Sequence, residues 1–356
     1  MVAAVLAIIL TLILVVGIHE AGHGLVARFF AIKIQKISIG FGKSLLSWTN
    51  SKDCEWVWAM WPLGGYVQLL NTRISPVTEK DYPQCFDKRP IWQRLLVLVS
   101  GSLANIVTAW LAFILIFFVG LNLKSPDIAS VVPNSLAYQA GFQAQDQWVA
   151  INGTPTPSWQ EVGMQLIMFW GQKEVQVTLR QPNGHLRTSL LNLSDLKFSE
   201  KDKSLLTRLG INPNLQAPVK RIAAPSFIGA IKDATLSVGH WTYFFLMVLK
   251  QVLTGVIPFS VLLGPLGLFA ASIVSFTQGI LIFLYFIASL SIAVGLVNLF
   301  PVPGLDGGSI LYTLIEKCRG KPMSVAMEVL LYRLVQIAFA LLLVQLILND
   351  LQRFYA

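Results

Sequence analysis

From its residues alone this chain reads as a polytopic α-helical membrane protein of about four transmembrane helices, with a membrane-associated β-hairpin and one small external domain. Two observations carry that reading. Of the 356 residues, 54% are hydrophobic and only 13% are charged, against roughly a quarter charged in soluble domains. The apolar residues also collect into runs, Val2–Ile18, Leu95–Val119, Ile280–Phe300 and Val329–Leu348, each near the roughly 20 residues that cross a bilayer as a helix. These runs lack the alternation of a membrane barrel.

The net charge of +9 follows the membrane edges and gives no ground for a nucleic-acid partner. Arg28, Lys33, Lys36, Lys43, Lys88, Arg89 and Arg94 lie between the first two runs, and Lys317, Arg319 and Lys321 between the last two. Short basic loops favour the cytoplasm.

Residues 1–30 form the first span. They have no basic leader and no persuasive cleavage site before His19, so the span is expected to stay as an anchor. Residues 31–90 hold two strand-like stretches, Ile37–Gly42 and Glu55–Trp61, then Pro62-Leu63-Gly64-Gly65-Tyr66-Val67, then a loop over 72–89 broken by Pro76 and Pro83. Trp56, Trp58 and Trp61 suit a hairpin at or dipping into the membrane interface; a cytosolic hairpin is the alternative.

The second span is 91–120. Residues 121–193 resemble a compact domain: Ser130-Val131-Val132-Pro133, Ala140-Gly141-Phe142 and Asp146–Gly153 precede strand-like Glu174–Arg180 and His185–Leu191, joined at Pro182-Asn183-Gly184. The pattern is similar to a bacterial PDZ domain, with Gln145 where Gly is usual. Residues 194–235 read as a linker. Within 236–278, Trp241–Pro258 and Phe259–Phe276 suit either a hairpin through the membrane or an interfacial helix with a loop. The third span and a broken stretch occupy 279–308, a cytoplasmic loop 309–328, and the fourth span with its tail 329–356. Cys54, Cys85 and Cys318 have no metal-like spacing and demand no disulfide.

The chemistry begins at His19-Glu20-Ala21-Gly22-His23. Residues four apart share a helix face, so His19 and His23 can grip one ion with Glu20 beside it as general base. Zinc takes imidazole well and keeps an open position in hydrolytic sites. Ionisable groups in an apolar span are expensive and ordinarily functional, while Ala21, Gly22 and Gly24 let a neighbouring helix approach. His185 and His240 are expected in ordinary structural or surface roles. The third ligand is expected to be Asp306, in Asn298-Leu299-Phe300-Pro301-Val302-Pro303-Gly304-Leu305-Asp306-Gly307-Gly308, where prolines and glycines break the helix. With an external amino terminus, a rise of about 1.5 Å per residue brings the first and third spans to a similar depth at these motifs.

These two motifs, with Ser38–Gly42, Pro62–Val67 and Gly101-Ser102-Leu103-Ala104-Asn105, resemble the site-2 protease family of intramembrane zinc metalloproteases, in its bacterial regulator-of-sigma-E branch. The resemblance implies a Zn2+ cofactor on His19, His23 and Asp306, with Glu20 as base. It also implies that Asn298, Pro301 and Pro303 place the substrate and that Asn105 assists nearby. The side-chain amides of Asn298 and Asn105 could pair with substrate backbone, and a helix–helix hydrogen bond is the alternative for both. The hairpin would be membrane-reentrant, and Trp241–Val256 a membrane-associated helix. A substrate helix must unwind before it is cut, and a strand edge through Gly64, Gly65, Tyr66 and Val67 is expected to hold the extended segment. Implied substrates are single-pass membrane proteins such as anti-sigma factors, and remnant signal peptides, at the bacterial inner membrane with the active site toward the cytoplasm. The PDZ-like domain would either bind a new carboxyl terminus or obstruct bulky substrates. Three features depart from the pattern: one PDZ-like domain in place of two, Ser102 for a frequent Pro, and Ser309 where His is common. A transporter would predict inverted repeats, and the two halves do not correspond.

Overall fold

The computed structural model describes residues 2–50, 53–74, 76–194, 196, 205–259 and 262–355. Most of the expected linker's polar part, 195 and 197–204, lies outside the described residues, as do 51–52 of the hairpin, 75 of the following loop and 260–261 of the second ambiguous apolar stretch. The molecule is mostly helical. Val2–Phe29, Ile91–Val119, Ile280–Asn298 and Val325–Arg353 are long and apolar enough to cross a membrane.

Two compact units are present, one of residues 1–115, 234–238 and 266–344, the other of 116–233, 239–265 and 345–356. In the first, α1 (Val2–Leu12) and α2 (Ile18–Phe29) form one continuous helix joined by a wider turn over Ile13–Gly17. There the Ile18 amide reaches back five residues to the Ile13 carbonyl, the spacing of a π-bulge.

β1 (Ile34–Thr49) and β2 (Glu55–Leu69) depart from a simple hairpin. Ile37 pairs with both Val67 and Trp56, Ile39 with both Gly65 and Trp58, and Trp48 with Trp56. Each long strand therefore doubles back, giving four segments in the order 65–69, 34–39, 55–58 and 46–49. Gly40 and Gly42 turn β1 at φ of 93° and 88°, a region that side chains disfavour. The segment ending at Leu69 is left as an outer edge.

α3 (Ile91–Val119) crosses from this unit into the other. The second unit continues with β3 (Leu121–Lys124), β4 (Ile128–Val131), α4 (Leu136–Gln139), β5 (Gln147–Ile151), β6 (Thr154–Pro155), α5 (Trp159–Met168), β7 (Val175–Arg180) and β8 (Leu186–Leu191). A four-stranded sheet runs β6-β5-β7-β8. β7 alternates buried Val175, Val177 and Leu179 with more exposed residues, the period of a half-buried strand. Its core gathers Phe142, Trp148, Val162, Leu166, Leu191 and Ile211. Ser158 caps α5, accepting the Glu161 amide while its hydroxyl donates to the Glu161 carboxylate.

Within the segment read as a linker, 194–235, the described residues from 205 onward hold regular structure. The segment carries α6 (Leu205–Leu209), β9 (Ile211–Pro213), which pairs with β4, and β10 (Val219–Ile222), which pairs with β3. It also starts α7 (Phe227–Leu253), capped by Ser226. Lys232 and Asp233 hid this helix start from a search for apolar runs. Gln251 on α7 donates to the carbonyls of Ile167 and Met168 at the end of α5.

α8 (Pro265–Thr277) begins on a proline, which suits a first turn. α9 (Ile280–Asn298), α10 (Asp306–Arg319) and α11 (Val325–Tyr355) complete the chain. α10 occupies much of the expected cytoplasmic loop 309–328. Its far end is fixed by Arg94 of α3, which grips both Glu316 oxygens at 2.9 Å.

Candidate metal centre

Apolar α1 and α2 carry His19, Glu20 and His23 just past the wide turn, with both histidines buried. Pro301 and Pro303 end α9, because a proline supplies no amide and disfavours a helical residue before it. The chain then turns through Gly304 at φ 95° and restarts as α10 at Asp306. Gly307 packs against the carbonyls of Leu299 and Phe300, and Gly308 against Val302 and Pro303, so closely that a side chain at either would strike backbone. Those contacts fix the first turn of α10 and therefore Asp306.

The two motifs meet. Asp306 Oδ2 lies 3.2 Å from His19 Nε2 and 3.1 Å from His23 Nε2, and the two ring nitrogens are 3.2 Å apart. Although buried, Asp306 Oδ2 has no hydrogen bond directed at it. Four ligands about 2.0–2.1 Å from a tetrahedral zinc stand about 3.3 Å from one another, so this triangle has the size of one face of such a site. Two imidazoles and a carboxylate are also a donor set that zinc accepts. The residues fit the metal.

α3 supports both rings. The His23 Nδ1–H donates to the Val97 carbonyl at 2.7 Å, leaving Nε2 to face the site. Gly101 lies directly beneath that ring, where any side chain would overlap it. Asn105, fully buried, has its amide nitrogen 3.4 Å from His19 Nδ1. Gly22 lets α2 touch α3: a methyl group there would come 2.5 Å from the Ser100 carbonyl and 2.8 Å from Ala104.

Glu20 faces a largely apolar groove of about 270 Å³, between Gly17, Ala21 and Gly24 on one side and Ile37, Ile39 and Gly65 on the other. Gly65 is as close as the sheet can come, since a side chain there would lie 2.8 Å from the Ser38 carbonyl and 3.4 Å from Glu20 Cγ. Gly64 and Val67 line the same groove, and Tyr66 lies between them on the edge segment. Asn298 is half-buried at the end of α9, and its side chain has no hydrogen-bond partner among the described residues. Pro301 is exposed and Pro303 half-buried in the turn before Asp306. Val97 and the wide turn at Ile13–Gly17 escaped the sequence reading. A carbonyl has no residue-type signature, and the turn left no break in the apolar run.

A profile of Peptidase family M50 matches residues 7–343. The chain belongs to peptidase family M50. This is the site-2 protease family that the motifs resemble. The chain is similar to the Regulator of sigma E protease of Haemophilus influenzae, at 27% identity over 97% of this chain and 98% of the relative. It is likewise similar to Protease RseP of Yersinia pestis, at 27% over 98% of each, and to Regulator of sigma-E protease RseP of Escherichia coli K12, at 26% over 97% of each. These alignments extend over 432 to 443 residues, more than the 356 here. The relatives therefore contain residues with no counterpart in this chain.

Proposed function

We propose that this protein is an intramembrane zinc metalloprotease that cuts transmembrane segments of single-pass proteins. The observation that carries the reading is the convergence of His19 and His23 with Asp306, from the opposite end of the sequence, on one point beside Glu20. His19, His23 and Asp306 would hold the zinc. Bound there, zinc supplies Lewis acidity and makes water acidic enough to react near neutral pH.

The protein's own groups do the rest. Glu20 accepts a proton as water attacks the peptide carbonyl, then returns it to the leaving nitrogen as the C–N bond breaks. Substrate lies along the groove as an extended segment, pairing its backbone with the edge through Gly64, Gly65, Tyr66 and Val67. This edge replaces the hydrogen bonds that an unwinding helix loses, which apolar surroundings make essential. Asn298 offers its free amide to a substrate carbonyl, while Pro301 and Pro303 hold the turn that presents it.

The 121–193 region is read as a PDZ-like domain on the external side, where it screens substrates before they reach the groove. The four long apolar helices and the relatives' names support placement in a bacterial inner membrane and substrates of the anti-sigma-factor or remnant-signal-peptide class. The test is purification in detergent, zinc analysis and cleavage of a single-pass substrate. One zinc per chain is expected in the wild type and in Glu20→Gln, with cleavage by the variant lower by about 10²–10⁴-fold. A wild-type protein that binds no zinc, or a Glu20→Gln protein that cleaves normally, removes the proposal.

A further inference from the structure

Asn105 is fully buried on α3, and its amide nitrogen, not its oxygen, faces His19 Nδ1 at 3.4 Å. Its Oδ1 is buried with no hydrogen bond at all. An amide nitrogen can only donate, so in this orientation His19 Nδ1 must accept and the ring proton sits on Nε2. Asn105 then donates to His19, His19 Nε2 stands 3.2 Å from both His23 Nε2 and Asp306 Oδ2, and His23 Nδ1–H donates to Val97 at 2.7 Å.

That tautomer is wrong for a ligand. His19 Nε2 is the nitrogen facing Asp306 and His23, and it can hold a metal only with its lone pair free. The ring proton must then move to Nδ1, which turns Nδ1 from acceptor to donor. Half a turn of the Asn105 amide brings the unpartnered Oδ1 to that nitrogen.

Resting on the metal-site reading above, we infer that Asn105 is a positioning residue for His19: its amide oxygen accepts the Nδ1–H and holds Nε2 ready for zinc. It thereby does for His19 what the Val97 carbonyl does for His23, from two turns further along the same helix. This differs from the pairing with substrate backbone that the side-chain amide of Asn105 offers in sequence. Burial argues the same way, because Asn105 has no exposed surface to offer a substrate, whereas Asn298 is half-buried and its side chain has no partner among the described residues.

The experiment measures zinc affinity by competition with a chromophoric chelator, on full-length protein in detergent. Asn105→Leu keeps the volume and removes the acceptor; Asn105→Asp keeps an acceptor and removes the donor. Expected are a 10- to 100-fold loss of zinc affinity in Asn105→Leu, typical for the loss of a ligand's supporting hydrogen bond, and affinity within about threefold of wild type in Asn105→Asp. Wild-type affinity in Asn105→Leu, with only a raised KM for a single-pass substrate, overturns the inference in favour of substrate binding. Equal losses in both variants overturn it too, since the acceptor would then not be what matters. Failure of the wild type itself to bind zinc would instead strike the underlying metal-site reading.

Discussion

The small domain and the unit that carries His19, His23 and Asp306 bury their interiors by opposite means. In the small domain, Trp148, Phe142, Val177, Leu179 and Leu191 fill one continuous apolar core, and Phe142 and Trp148 meet edge to face at 5.4 Å. Water drives that packing. Around His19, His23 and Asp306 the contacts run through glycines and polar groups: Gly22 on Ser100, Gly101 under His23, Gly295 on Ser102, and Asn105 beside His19. Lipid is as apolar as leucine, so helices in a membrane gain little by hiding apolar side chains from it. Close backbone approach and contacts between polar groups hold them instead. The domain's stability is thus spread over many interchangeable side chains, whereas the centre depends on a few positions with no room to change.

The largest expected effect follows from that lack of room. Gly101→Val places a side chain where the His23 ring lies and should lower zinc affinity by about 100-fold or more, beyond the usual range for a supporting group. Chelator competition measures it, and unchanged affinity would mean that the contact beneath His23 is soft. The converse change is Trp148→Ala in the small domain. It should cost that domain about 3–5 kcal/mol, read by thermal unfolding, and leave zinc affinity as it was. Loss of zinc in that variant would erase the contrast between the regions.

A smaller effect lies in the loop after the sheet. Burial pushes the Asp87 carboxyl up, but the Thr72 hydroxyl and amide, with the Lys88 charge and Asp87's own amide, together hold it below its ordinary value. A lowered native pKa stabilises fully above the unfolded value of about 3.9 and is lost as pH falls through the native value. Thr72→Val raises the native value, so proteolytic opening of the 72–89 loop should begin at a slightly higher acidic pH. An unshifted profile would assign the loop's order to other contacts, such as that of Arg73 with Glu328 and the Met323 carbonyl.

Several features were legible in the residues because their signal is local. Span length depends only on a run of apolar side chains. The paired histidines depend on helix periodicity, and the break around Asp306 on the backbone limits of Pro301, Pro303 and Gly304. What stayed hidden depends on partners distant in sequence or on unmarked backbone. α7 begins at Phe227 with Lys232 and Asp233 breaking its apolar run, β1 and β2 each double back on themselves, and the Ile13–Gly17 turn widens without any residue that announces it.

The sequence by itself determined which side chains are able to ligate and which segments are able to cross a membrane, because both follow from residue chemistry and short-range period. Only the tertiary structure decided that Val97, Gly101 and Asn105 would surround the two imidazoles. A carbonyl, an absent side chain and an amide acquire those roles only from what another helix brings against them.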